Sequence, residues 1–316
     1  MNIALLHKTA GKAAVKAAKK VAGKAARKAV GTASAVITTI TFCDRGENHV
    51  GMQMVGKLAE RGFTVSELES AKRKFEAKGH TCLLVDLSKH AGRKGVAEAK
   101  VLVVRNGIKA FGASKLHDEL VDLDWDTKVW MRGAVKNKRA RYNLMFSETA
   151  QEPDYGAKKG RIIPYADVPL LSAIRDQLPL YFGSEAKELE AEGNKYYDDA
   201  KTGIGYHGDS ERRKVIGVRT GGSMYLHFQW HLKTKPIGKN VRIHLDGGDM
   251  YCMSAAAVGS NWKLRNTPTL RHAAGCAKYT TRTAKLIVTN FKEVGGGAYC
   301  VGDTAVKEKK KRKRGK

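Results

Sequence analysis

Residues 196–211 read YYDDAKTGIGYHGDSE, and within this stretch His207 and Asp209 stand two positions apart. Side chains at positions i and i+2 of a strand point to the same face, so this imidazole and this carboxylate can reach one metal ion. A second imidazole from elsewhere in the chain would complete the arrangement of two histidines and one carboxylate that holds Fe(II) on one face. The stretch therefore predicts a strand that carries two ligands of a metal centre.

A third ligand and a cation for a carboxylate co-substrate are expected downstream. His272 is the last histidine in the chain, and Arg282 follows it ten positions later. A guanidinium suits the second role because it is permanently charged and binds a carboxylate with two hydrogen bonds. Other residues of the same types also follow the motif and remain alternatives: His227, His231 and His244 as ligands, Lys278 and Lys285 as cations.

The segment around the motif resembles the metal-binding segment of AlkB-like 2-oxoglutarate/Fe(II)-dependent dioxygenases, in a form similar to those of large DNA viruses. The residues that carry the resemblance are Tyr197, Asp199, Ile204, Gly205, His207, Asp209 and Glu211. Residues 248–253 (GDMYCM) are similar to the apolar strand that precedes the distal histidine, and the resemblance runs from about Asn137 to Phe291. It implies a double-stranded β-helix, a jelly roll whose open mouth holds the iron.

The resemblance also implies roles for individual residues. His207, Asp209 and His272 would bind Fe(II) at the catalytic centre, and O2 would be the second co-substrate. Arg282 would anchor 2-oxoglutarate, with Tyr197 and Asn194 as further contacts. Counted back from His207 without a gap, the motif tyrosine is Tyr197, whereas one inserted residue restores the pair of Asn194 and Tyr196. Both tyrosines therefore remain candidates.

One departure from the family bears on the substrate. Repair-type members carry a second arginine six residues after the anchoring one, and Val288 stands at that position here. The fold and the cofactors are therefore better supported than a repair activity.

The composition is strongly basic. The 316 residues contain 58 Lys and Arg against 31 Asp and Glu, for a net charge of +27. The five cysteines form no C-x-x-C pair, which argues against a disulfide framework and a thiolate zinc site and favours a reducing compartment. No apolar run approaches the roughly 20 residues of a membrane span.

Much of the positive charge lies in two tails. A Lys/Ala-rich segment covers residues 1–34, and the last ten residues, Lys307–Lys316, read KEKKKRKRGK. Such tails neutralise polyanions and release counterions, so nucleic acid is the expected partner, with an anionic membrane surface or an acidic protein as alternatives. We expect a nuclear location, or the virion or virus factory for a viral protein. A mitochondrial presequence is the weaker alternative for the first segment.

The elements between the tails predict an α+β fold. Strands are predicted at 35–43, 81–87, 100–105, 128–134, 141–146 and 224–232, and helices at 49–61, 66–77, 168–178 and 185–192. We interpret residues 1–34 as a basic tail, 35–126 as a small α/β region, 127–300 as the double-stranded β-helix dioxygenase domain and 301–316 as a polybasic tail.

The expected function is an Fe(II)/2-oxoglutarate-dependent dioxygenase that hydroxylates or oxidatively demethylates a substrate, most simply a nucleic-acid base. Two alternatives stay open. One is a protein side-chain hydroxylase of the same fold, and the other is a basic chromatin or virion protein with a vestigial oxygenase domain. An intact set of His207, Asp209, His272 and Arg282 counts against the last, because a decayed site would lose its ligands first.

Overall fold

The computed structural model describes residues 36–281, 286–295, 297 and 299–306. The predicted N-terminal tail, the polybasic segment Lys307–Lys316 and Arg282 lie outside the described residues. Residues 301–306 were predicted as part of the C-terminal tail, but they belong to a strand over Tyr299–Val306. In the part of the chain that is described, no helix is long and apolar enough to cross a membrane.

The described chain contains five short or medium helices. They are α1 (Val65–Glu76), α2 (Leu116–Val121), α3 (Pro169–Phe182), α4 (Ala255–Val258) and α5 (Ala277–Thr280). The strands are β1 (Ile37–Cys43), β2 (Arg45–Glu47), β3 (Met54–Gly56), β4 (Cys82–Asp86), β5 (Lys100–Val104), β6 (Lys128–Met131), β7 (Ala134–Asn137), β8 (Tyr142–Ser147), β9 (Ile162–Pro164), β10 (Glu190–Tyr196), β11 (Gly203–His207), β12 (Ile216–Gly221), β13 (Met224–Leu232), β14 (Lys235–Leu245), β15 (Met250–Met253), β16 (Thr269–Gly275), β17 (Leu286–Val294) and β18 (Tyr299–Val306). The fold is therefore α+β and consists mostly of β-sheet.

Helix α1 begins where the sequence predicts it. The Thr64 side chain accepts a hydrogen bond from the Glu67 N–H at 3.2 Å, and the Glu67 carboxylate accepts one from the Thr64 N–H at 2.8 Å, which together form a capping box. The buried face carries Leu68, Ala71 and Phe75, at the spacing of three and four residues expected of a helix.

Two predicted helices are wrong. Residues 49–61 form a turn and the short strand β3, with Gly51 and Gly56 at positive φ. Residues 185–192 end a one-turn 3-10 helix and then enter β10, which pairs with β1 on one side and β8 on the other. The helix-forming residues of this second segment are overridden because a strand with partners on both sides satisfies its whole backbone.

The other predicted elements are confirmed with small shifts in their ends. Strands β1, β4, β5, β8 and β13 and helix α3 occupy the predicted places. The strand predicted over 128–134 is instead a hairpin of β6 and β7, whose turn is formed by Arg132 and Gly133, both at positive φ.

Two large sheets pack face to face. The first has eight strands in the order β4-β5-β15-β12-β1-β10-β8-β9, and the second has six in the order β11-β16-β13-β14-β18-β17. One apolar cluster joins them, with Val103 and Met253 from the first sheet and Phe228 and Ile243 from the second. The opposite face of the eight-stranded sheet carries a second cluster under α1 and α3, which includes Phe42.

The predicted boundary between residues 126 and 127 does not separate two structural units. Strand β1 lies between β10 and β12, and β5 pairs with β15, so residues 35–126 supply strands to the middle of the eight-stranded sheet. The described residues from Val36 onward form one compact unit. The sequence pattern suggested a separate region because it shows alternation along the chain but not long-range pairing.

Candidate metal centre

The two histidines of the predicted centre are direct partners in neighbouring strands. His207 at the end of β11 pairs with His272 in β16, and the two ring centroids lie 4.5 Å apart. Strand β16, which carries His272, is paired with β13 as well as with β11. Strand pairing therefore fixes both imidazoles on rigid elements.

Asp209 completes a compact cluster of ligand atoms. The Nε2 atoms of His207 and His272 each lie 3.3 Å from the same oxygen, Oδ1 of Asp209. One ligand atom from each residue can be chosen so that all lie within 4.8 Å of one another. Adjacent ligands bound about 2.1 Å from an octahedral ion lie about 3 Å apart, so the three side chains fit one metal ion.

A tight backbone contact holds this cluster. The Asp209 N–H donates to the carbonyl of Val258 at 3.1 Å. A Cβ added at Gly208 would lie 2.1 Å from the carbonyl oxygen of Gly259, so only glycine allows the chain to pass between the two ligands at this distance. The middle residue of the His-Gly-Asp motif is therefore required by packing.

The hydrogen bonding of His207 fixes which nitrogen faces the cluster. Its Nδ1–H donates to the carbonyl of Gly205 at 2.8 Å, which leaves Nε2 with its lone pair toward Asp209. Histidine ligands of metals ordinarily have such a partner on the second nitrogen. The Nδ1 atom of His272 is buried and has no hydrogen-bond partner.

The charge of Asp209 is maintained in a buried place. Burial alone would raise the pKa of its carboxyl, but the nearby His272 and Arg212 hold the pKa well below the ordinary value. The Arg212 guanidinium is itself buried, with Nε 3.7 Å from Asp209, and it forms ion pairs with Glu192 and, at 2.9 Å, with Glu211. Asp209 is therefore an anion ready to bind a cation.

The cluster lies on the wall of a cavity of about 690 Å³. Thr39, Asn194 and Arg219 from the eight-stranded sheet line it, together with Tyr251 and Trp262. Strand pairing sets Arg219 opposite Thr39 and Thr39 opposite Asn194, so these three side chains form one row across three strands. The cavity is thus formed by side chains of both sheets.

Of the predicted co-substrate contacts, Asn194 lies in the cavity and Tyr197 does not. The Oδ1 atom of Asn194 accepts from Nδ2 of Asn143 at 2.9 Å and from Nε of Arg141. The Tyr197 hydroxyl instead donates to the carbonyl of Arg139 at 2.9 Å, and its ring stacks on Tyr142 with centroids 4.4 Å apart. Tyr197, predicted as a contact of 2-oxoglutarate, is therefore not part of the lining of this cavity.

Tyr196 takes the place that was predicted for Tyr197. It is buried and lines the cavity, two residues after Asn194 on the same face of β10. Successive residues of a strand point to opposite faces, so only one of the two tyrosines can accompany Asn194. The alternation could have decided between them if the segment had been recognised as a strand in the sequence.

The three alternative histidines lie outside this cluster. Burial lowers the pKa of His227 to about 3 and that of His231 to about 4, so both rings are neutral at ordinary pH. His244 has its Nδ1 3.4 Å from a carboxylate oxygen of Asp246. Within the described residues, the triad of His207, Asp209 and His272 is the one group of three metal-binding side chains that converges.

The fold and the site together define an α+β protein, mostly β-sheet, with a His-Asp-His cluster on the wall of a cavity between two sheets. No family model matches the chain. The chain is 44% identical over 245 residues to an uncharacterized protein of Acanthamoeba polyphaga mimivirus, which covers 76% of this chain and 96% of the relative. The chain therefore belongs to the same family as that mimivirus protein.

Proposed function

We propose that this protein is an Fe(II)/2-oxoglutarate-dependent dioxygenase of the AlkB-like kind that acts on nucleic-acid bases. The observation that carries the proposal is the convergence of His207, Asp209 and His272 beside a cavity large enough for a co-substrate and a substrate group. Two histidines and one carboxylate are the ligand set of Fe(II) oxygenases, which keep their other positions open.

The path of the chain supports a jelly-roll core. From β10 to β16 the chain alternates between the sheets, with β10, β12 and β15 in the eight-stranded sheet and β11, β13, β14 and β16 in the six-stranded one. Repeated crossing between two packed antiparallel sheets is typical of jelly rolls. His207 and His272 then lie on the two neighbouring strands β11 and β16, and Asp209 follows two residues after the end of β11.

Iron with 2-oxoglutarate and O2 would supply the oxidation of a substrate C–H bond, with 2-oxoglutarate converted to succinate and CO2. The chain's own residues hold the metal ion and orient the substrate. His207, Asp209 and His272 would bind the ion, and the Gly205 carbonyl keeps the His207 ring turned toward it. Trp262, which lines the cavity, offers a flat apolar face on which a base taken out of its stack can lie. On an N-methyl group, the hydroxylated product would then lose formaldehyde.

The charge of the chain supports a nucleic-acid partner. A net charge of +27, with no acidic residue among the first 43 residues, favours binding to a polyanion. A relative from a mimivirus is consistent with a viral member of the family. The basic tails would keep the enzyme on its substrate without reading its sequence.

The proposal is tested by binding and by turnover. Wild type and a His207→Ala variant are titrated with Fe(II) and then 2-oxoglutarate without oxygen, and succinate release is measured in air with methylated single-stranded DNA, methylated RNA and peptides. The proposal expects metal-dependent binding in wild type alone and succinate release stimulated by a nucleic acid. Stimulation by peptides alone would favour a protein hydroxylase, and absence of metal binding in wild type would refute the assignment of the triad.

The role of the tails has a separate test. Removing Met1–Ser34 and Lys307–Lys316 should weaken binding to random-sequence DNA and RNA and flatten its dependence on salt concentration. Turnover of 2-oxoglutarate on a small substrate should stay nearly unchanged, because the triad lies outside both segments. An unchanged salt dependence would show that the tails do not contact nucleic acid.

A further inference from the structure

Arg219 is a buried cation without a counter-ion. Its side chain is 1% exposed and is the largest of the fully buried side chains. The Nε–H has no hydrogen-bond acceptor, and Nη1 lies 3.7 Å from the thioether sulfur of Met224. An isolated buried charge is strongly unfavourable, so such a group indicates an anion that is supplied from outside the chain.

The nearby carboxylate of Asp249 does not serve as that anion. Asp249 and Arg219 are joined through their backbones, but the Asp249 side chain lies 2.5 Å from Nη1 of Arg105 and accepts from the Asn106 N–H at 2.8 Å. No carboxylate lies within ion-pair distance of Arg219 in the residues that the structure describes. Burial lowers the pKa of Arg219, although a guanidinium still keeps its proton at any ordinary pH.

The surroundings of Arg219 connect it to the metal centre. It lines the same cavity as His207, Asp209 and His272, in one row with Thr39 and Asn194. The Tyr251 phenol lies within electrostatic reach of both Arg219 and Asp209. The groups beside Arg219 are hydroxyl and amide groups, which can donate hydrogen bonds to an anion and do not neutralise the guanidinium themselves.

From these observations we infer that Arg219 binds the distal carboxylate of 2-oxoglutarate, the role that sequence reasoning gave to Arg282. The inference rests on the proposed function, because the 2-oxo acid end of the ligand needs the metal. Strand β12, which carries Arg219, contributes directly to the cavity.

Arg141 is another cation on the lining of this cavity. Its Nε–H donates to Asn194, and the side chain is half-buried, so water can solvate the rest of its charge. Its charge therefore does not require a bound anion, whereas the buried charge of Arg219 does. An Arg141→Met variant is a useful comparison, and Arg265→Met, at an exposed position outside the cavity lining, controls for loss of one positive charge.

The test measures ligand binding by calorimetry without oxygen, with Mn(II) in place of Fe(II). Two ligands are compared: 2-oxoglutarate, and pyruvate, which has the same 2-oxo acid end but no distal carboxylate. Arg219→Met should bind Mn(II) and pyruvate as wild type does and bind 2-oxoglutarate roughly tenfold to a hundredfold more weakly. Arg265→Met should match wild type with both ligands.

The outcomes separate the inference from the proposed function. Wild type that binds Mn(II) but neither 2-oxo acid refutes the function. The inference is overturned if wild type prefers 2-oxoglutarate over pyruvate and the Arg219→Met variant keeps this preference. Loss of the preference in Arg141→Met or in Arg282→Ala would then identify the residue that binds the distal carboxylate. The thermal unfolding midpoint shows independently that Arg219→Met is folded, and without ligand it should equal or exceed that of wild type. Addition of succinate should no longer raise the midpoint of the variant.

Discussion

Arg212 and Arg219 are both buried guanidinium groups on the wall of one cavity, and their surroundings differ completely. Arg212 contacts the carboxylates of Glu192, Glu211 and Asp209, so its charge is neutralised within the chain. Arg219 has hydroxyl, amide and thioether neighbours and an Nε–H without an acceptor. The charge of Arg212 is neutralised when the chain folds, whereas the charge of Arg219 remains available for an anionic ligand. The comparison separates the residues that build the site from a residue that recognises what enters it.

The largest expected effect separates the metal ligands from Arg219 and concerns the affinity for the metal ion. His272→Ala should reduce affinity for Mn(II) or Fe(II) by more than the roughly 100-fold that loss of a ligand's hydrogen-bond partner costs, because a ligand itself is removed. Arg219→Met should leave metal affinity unchanged. Anaerobic calorimetric titration measures both, with His244→Ala as a control whose ring lies outside the cluster. An equal loss of metal affinity in the His272 and His244 variants would contradict the assignment of His272 as a metal ligand.

The stability of the fold should separate the two arginines next. Arg212→Met removes the cation from three carboxylates, two of which, Glu192 and Asp209, are buried, and should cost about 3–5 kcal/mol of unfolding free energy. Arg219→Met removes an unpaired charge and should be neutral or stabilising. Denaturant unfolding of the two variants beside wild type gives both values. Equal destabilisation would show that Arg219 has a counter-charge after all.

The triad shows which parts of a site can be predicted from sequence. The i, i+2 spacing predicted a strand that carries His207 and Asp209, and the two side chains do come together, although β11 ends at His207 and Asp209 lies just beyond it. The partnership with His272 depends on the register between β11 and β16, which no local pattern reports. Arg219 was not predicted at all, because the absence of a counter-charge is a property of its three-dimensional surroundings. A strand that reads IGVRTG gives no sign that its arginine is fully buried.

The errors in the fold have a related cause. Residues 185–192 have the composition of a helix, but β10 forms there because β1 and β8 offer pairing on both sides. The choice between Tyr196 and Tyr197 stayed open in the sequence for a related reason, since the faces of the two side chains follow only from strand alternation. In the same way, residues 35–126 were predicted as a separate region because no local pattern reports the pairing of β1 with β10 and β12, which lie far away in the chain.

A third buried cation, Lys138, sharpens the comparison because a lysine can lose its proton. Its Nζ donates to amide oxygens of Asn48 at 2.7 Å and Asn143 at 3.0 Å, and burial lowers its pKa from 10.5 to about 7. The unfolded chain therefore binds more protons than the folded chain between these values. The free energy of unfolding should rise with pH from about 7 to about 10, by roughly 2–4 kcal/mol from this group.

A Lys138→Met variant isolates this contribution. Denaturant unfolding at several pH values between 7 and 10 should give a smaller slope of stability against pH in the variant than in wild type. The two arginines offer no such dependence, because a guanidinium stays protonated throughout. Identical slopes in the two proteins would show that Lys138 keeps its proton in the folded state and is neutralised by Asp126, the charged group whose attraction opposes the effect of burial.

The smallest expected effect concerns the two neighbouring tyrosines. Tyr196 is buried in the cavity and within electrostatic reach of Arg219, whereas the Tyr197 hydroxyl donates to a backbone carbonyl outside it. If the phenol of Tyr196 donates a hydrogen bond to the carboxylate held by Arg219, Tyr196→Phe should weaken 2-oxoglutarate binding by about 0.5–1.5 kcal/mol, a factor of roughly 2 to 10.

Two controls test whether this effect depends on Arg219. Tyr197→Phe should bind 2-oxoglutarate like wild type. The effect of Tyr196→Phe should disappear in an Arg219→Met background, because the effects of residues that act on one ligand group are not additive. Calorimetry on the four variants measures this coupling. A larger loss in Tyr197→Phe than in Tyr196→Phe would mean that the ligand lies on the other face of β10, away from Arg219.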